Sequence, residues 1–67
     1  MFEYTTRMDR KVTINPRMIC CLLEGEDGET SIYTCESSDP ITVKESYEKV
    51  KKQFEHFNYQ IHTVVTM

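Results

Sequence analysis

Met18-Ile19-Cys20-Cys21-Leu22-Leu23 is six apolar residues in a row, bounded by Pro16-Arg17 on one side and Glu24-Gly25 on the other. A short apolar run between turn residues reads as a β-strand. Because both parities are apolar, it predicts a central strand covered on both faces. Glu26-Asp27-Gly28-Glu29 follows, and its Asp-Gly pair supplies the positive φ that a tight hairpin needs. Thr30 to Glu36, rich in Thr, Ile and Tyr, is then the returning strand. Ser37-Ser38-Asp39-Pro40 is a second turn and Ile41-Thr42-Val43 a short further strand.

Upstream of that run, Phe2 to Met8 alternates with Phe2, Tyr4 and Met8 on one parity, and Lys11 to Ile14 alternates again after an Asp9-Arg10 turn. Asn15-Pro16 ends this second strand, since proline has no N–H to give to a ladder. Downstream the period lengthens to that of a helix: Val43, Tyr47, Val50, Phe54 and Phe57 form one apolar stripe. Ser46 is placed as N-cap, Glu48 falls in the first turn, and a stop is expected near Asn58. Tyr59 to Val65 then reads as a closing strand.

The expected fold class is therefore α+β, mainly β: a small antiparallel meander of four to five strands with one C-terminal amphipathic helix and a final strand, in a single domain spanning 1–67. One helix covers one face of a sheet. The second face of Met18–Leu23 then requires either curvature into a barrel or another copy of the chain, and the β-branched closing strand invites edge pairing.

A domain of 67 residues buries only about 60% of the surface its unfolded chain exposes. Its net stability is on the order of 3–10 kcal/mol, so any cross-link or subunit contact matters. The three cysteines, Cys20, Cys21 and Cys35, are an odd number with no leader-like segment before them, which suits three thiols in a reducing, cytoplasmic setting. No stretch is apolar for the length of a membrane span. The net charge of −3 is local: residues 24–39 hold Glu24, Glu26, Asp27, Glu29, Glu36 and Asp39 with no Lys or Arg, while residues 1–23 sum to +2 and residues 40–67 to +1.

Residue types that carry chemistry are sparse. His56 and His62 lie six apart, and the adjacent Cys20 and Cys21, in a regular strand, point to opposite faces, so neither pair suits a metal. Both glycines, Gly25 and Gly28, are accounted for by the hairpin, leaving no phosphate loop. No catalytic residue, cofactor or metal is expected, and so short a chain has no room for both a scaffold and an enclosed substrate pocket.

Val12-Thr13-Ile14-Asn15, Ile19, Gly28-Glu29-Thr30-Ser31-Ile32 and above all Val43-Lys44-Glu45-Ser46, with Val50 beyond it, form a connected pattern over residues 12–50. In that pattern the chain resembles the FlbD family of small flagellar-operon proteins, where an apolar strand, a turn and a Thr-containing strand precede a Val-Lys-Glu-Ser sequence that opens the final helix. The resemblance implies a non-enzymatic module with no catalytic residue to carry over.

The function expected from these readings is a protein-interaction or regulatory module that self-associates and binds a protein partner; a small inhibitor of a host protein falls within that class. The contact surfaces expected are the closing strand, through Tyr59, Ile61, Thr63 and Val65, and the acidic hairpin, through Glu24, Glu26, Asp27 and Glu29. A nucleic-acid-binding regulator using Arg7, Arg10, Lys11 and Arg17 is the first alternative. A small-ligand binder with its pocket at a subunit interface is the second.

Overall fold

In a computed structural model of the chain, the backbone of residues 1–66 and the side chains of residues 1–58 are described. Five antiparallel strands lie in two sheets, followed by one helix. The strands are β1 (Phe2–Thr5), β2 (Lys11–Ile14), β3 (Ile19–Glu24), β4 (Thr30–Thr34) and β5 (Ile41–Val43), and the helix is α1 (Tyr47–Thr66). This is the α+β, mainly β architecture that the strand spacing predicts.

The connections follow from local residue chemistry. Asp9, at φ 63°, adopts the left-handed conformation that short polar side chains tolerate, and it closes the β1–β2 turn with its N–H on the Thr6 carbonyl. Asn15 accepts the Arg17 N–H on its side chain and opens a 3-10 turn over Pro16–Met18. In the β3–β4 hairpin the expected Asp-Gly pair takes positive φ at both positions, 59° at Asp27 and 78° at Gly28.

β1 and β2 form one sheet, and β3, β4 and β5 the other in that order. The sheets are stitched together where β1 ends. Thr6 bridges Val43, the Lys44 N–H donates to the Thr5 carbonyl at 2.8 Å, and the Arg7 N–H donates to the Thr42 carbonyl at 3.2 Å. The strands therefore run β2-β1-β5-β4-β3 across both sheets, with β2 and β3 at the outer edges.

Three expectations are corrected here. Met18–Leu23 is not a central strand covered on both faces: β3 is an edge strand, and Cys20, Cys21 and Leu23 on it are exposed. The central strand of that sheet is β4, whose Thr30 and Ile32 are completely buried. The core gathers Tyr4, Ile14, Ile19, Ile32, Val43 and Val50, one residue from each strand and one from the helix, with Phe2, Val12, Leu22, Ile41 and Phe54 packed against them. Met8, expected to share the inward parity of Phe2 and Tyr4, is exposed because the chain has already turned at Thr6–Arg10.

The third correction concerns the end of the chain. No closing strand follows Asn58, since α1 continues without a break to Thr66. No Gly or Pro lies anywhere after Pro40, and Asn58 alone does not stop a helix already anchored at its other end. Each β-branched residue in a helix forfeits only a few tenths of a kcal/mol, about 0.7 kcal/mol at most. Tyr59, Ile61, Thr63 and Val65 thus lie on a helix and not on a sheet edge, and their side chains fall outside the described residues.

Candidate functional site

Val43-Lys44-Glu45-Ser46 is a structural clasp in which each residue holds a different element. Val43 is completely buried in the core. Lys44 pairs with Asp9 of the first turn, and its backbone binds Thr5. Glu45 accepts the Thr5 N–H with both carboxylate oxygens, each at 3.1 Å, while its own carbonyl accepts the Thr30 hydroxyl at 2.8 Å. Ser46 caps α1, its hydroxyl oxygen accepting the Lys49 N–H at 3.3 Å and its carbonyl the Val50 N–H at 3.1 Å. The motif joins β1, β4 and the helix start, and its chemistry is used up in doing so.

Free functional groups collect instead on the outer face of β3. Ile19 opposes Thr34 and Cys21 opposes Tyr33, so Cys20 is the extra residue of a β-bulge. A bulge breaks strict alternation. Here it leaves Cys20 and Cys21 both exposed between the inward-facing Ile19 and Leu22, which corrects the expectation that adjacent cysteines diverge. Cys35, just past β4, donates its N–H to the Met18 carbonyl at 2.8 Å and brings its Sγ to 2.7 Å from that of Cys20. The side-chain interaction of the Cys20 thiol with Cys35 raises its pKa above the usual value, and desolvation and the neighbouring Cys35 and Cys21 thiols add to the rise. All three cysteines are free thiols, and no group of three or more His, Cys, Asp or Glu side chains among the described residues is arranged to hold a metal ion.

The acidic hairpin and the basic residues turn out to be partners in one place. Arg7 reaches Glu29 through two guanidinium nitrogens, at 2.6 Å from Nη2 and 3.1 Å from Nε. This bond holds the Glu29 carboxyl below the usual carboxylate range and keeps the Arg7 guanidinium protonated still more firmly. Glu29 is therefore engaged within the fold, whereas Glu24, Glu26 and Asp27 stay exposed around the β3–β4 turn. Arg10, Lys11 and Arg17 are exposed too, but Arg10 and Lys11 stand at the start of β2 and Arg17 lies beyond its far end. With Arg7 paired, the four do not make one basic patch.

A concavity of about 280 Å³ opens at the opposite end of the sheets from the Arg7–Glu29 pair, lined by Met1, Ile14, Met18, Thr34, Glu36 and Ile41 among others. It falls just short of the roughly 300–1,000 Å³ of small-molecule sites and brings a single carboxylate to its rim. Among the described residues no helix is long and apolar enough to cross a membrane. No family model, curated protein or solved structure matches the chain.

Proposed function

We propose that this chain is a non-enzymatic protein-interaction module of the cytoplasm that self-associates through β3. The observation that carries the reading is the free edge of that strand: among the described residues β3 pairs with β4 alone, and it presents Cys20, Cys21 and Leu23 to solvent. An edge strand normally carries a lysine, a proline or a covering element, because its unpaired N–H and C=O groups recruit other strands. β3 carries no Lys or Pro, and Glu24 at its end is its one charge. A second copy adding its own β3 antiparallel across this edge makes a two-fold contact in which each strand supplies what the other lacks. The resemblance to FlbD proteins supports the same class, since what the shared motif does here is hold the fold together, leaving recognition to other surfaces.

Sedimentation across low to high micromolar concentrations tests the reading. A concentration-dependent dimer is expected, and Leu23→Lys, a change at an exposed position that places a charge beside the edge, should return it to a monomer whose melting curve matches that of the wild type at concentrations where both are monomeric. A wild-type chain that remains monomeric at the highest concentration overturns it.

A further inference from the structure

We propose that Cys20 and Cys35 are a vicinal dithiol that closes reversibly to an intramolecular disulfide, giving the outer face of the β3–β4 hairpin two covalent states. Two sulfurs at 2.7 Å are inside the distance of ordinary non-bonded contact and a short movement from the 2.03–2.05 Å of a disulfide. Backbone placement holds them there. The bulge frees Cys20 from a cross-strand partner, and the Cys35 N–H bond to the Met18 carbonyl fixes the far strand beside it. Both thiols are exposed, so an oxidant reaches them without unfolding the domain.

The reacting partner is a low-molecular-weight disulfide such as oxidised glutathione. One thiolate of the pair attacks a sulfur of that disulfide, forming a mixed disulfide and releasing one glutathione thiolate. The second protein thiolate attacks the protein sulfur of the mixed disulfide and releases the other glutathione. In balance, two protein S–H bonds are lost and one protein S–S bond forms, the oxidant is reduced to two thiols, and these take up the two protons. Cys21 stays reduced, since the bulge sets Cys20 and not Cys21 against Cys35. The reaction is internal to one chain and does not rest on self-association.

The experiment equilibrates the full chain at low micromolar concentration in glutathione buffers of increasing oxidised fraction, quenches with acid, alkylates, and reads intact mass. Of the three free cysteines, Cys20 and Cys35 are expected to lose alkylation together to a bond within the chain, any glutathione adduct lying on Cys21 alone. Trypsin leaves all three cysteines in one peptide, because no Lys or Arg lies between Arg17 and Lys44. Cleavage after glutamate separates Cys20 and Cys21, which precede Glu24, from Cys35, which precedes Glu36. Cys21→Ser is expected to leave closure intact, while Cys20→Ser and Cys35→Ser should each stop at a stable glutathione adduct. Three alkylated thiols in the most oxidising buffer, persistent adducts on Cys20 or Cys35 of the wild type, a bond that disappears in Cys21→Ser, or a bond between two chains would each overturn the proposal.

Discussion

Glu45 receives the Thr5 backbone N–H between its two carboxylate oxygens, each 3.1 Å away across 40 residues of sequence. This one side chain supplies an acceptor to the end of β1, where the first sheet meets the second. A charge-assisted hydrogen bond in a partly buried site is worth about 1.5–3 kcal/mol. Glu45→Ala is expected to lower stability by about that amount, while Glu45→Gln, which keeps one acceptor oxygen, should lose about half as much. Urea denaturation at neutral pH checks both. Equal stability of the alanine variant and the wild type would show that the junction stands without the carboxylate.

Tyr4 is buried at the centre of the core and donates its hydroxyl hydrogen to Gln53 Oε1 at 2.7 Å. Desolvation first, and then the nearby Glu45 charge, pushes its pKa up from 10.0 to about 12. The folded state thus favours the neutral phenol more than the unfolded state does. That preference is fully present below pH 10 and is lost as the pH rises towards 12. Tyr4→Phe should remove about 0.5–1.5 kcal/mol at neutral pH through the lost hydrogen bond. The stability difference between wild type and variant should shrink between pH 10 and pH 12, the other titrating groups cancelling in the comparison. A difference that holds constant over that window would mean the phenol ionises in both states alike.

What was legible in the sequence was what local chemistry decides. Asp27-Gly28 at the hairpin, Ser46 at the helix start and Asn15-Pro16 at the end of β2 act within a few residues of themselves, and each stands where its side chain or φ preference puts it. The position of β3 was not legible, because six apolar residues in a row say that a strand is there and not which neighbours flank it. Sheet order depends on Thr6 meeting Val43, a contact between distant parts of the chain. The bulge at Cys20 shifts exposure by one residue and leaves no mark in composition. At the other end, Ile61-His62-Thr63-Val64-Val65 has the propensity of a strand, yet it continues a helix that Val50 already anchors in the core. The expected contact residues differ accordingly: Glu29 is engaged by Arg7, and the residues on the exposed face of β3 belong to an apolar run whose composition marks an interior strand.

The relocation of the core from β3 to β4 has a direct consequence for stability. Ile32 is completely buried on the central strand, and Leu23 on the edge strand is 55% exposed. Ile32→Ala should cost about 2–5 kcal/mol through lost burial and the cavity left behind. That is a large part of the roughly 3–10 kcal/mol available to a domain of this size. Leu23→Ala should stay within about 0.5 kcal/mol of wild type, as surface substitutions do. Denaturant midpoints of the two variants, measured at a concentration low enough to keep the chain monomeric, separate the alternatives. Similar losses at both positions would restore the reading of β3 as a strand buried on two sides.

Closing Cys20 to Cys35 changes stability as well as surface. The two residues are 15 apart, so the bond ties off a short loop of the unfolded chain that the hairpin already brings together when folded. Chain entropy assigns about 3 kcal/mol to a loop of that length, with strain in the native bond subtracting from it. In a domain this small, each kcal/mol shifts the melting temperature by about 4–8 °C. The oxidised chain should therefore melt higher than the reduced chain by up to about 20 °C, and Cys35→Ser should melt alike in oxidising and reducing buffer. An oxidised form that melts lower would place the strain of closure above its entropic gain. The bond would then act to loosen the β3 edge, the proposed docking edge for a second copy, and concentration-dependent sedimentation of oxidised and reduced chains would distinguish a stiffened edge from a loosened one.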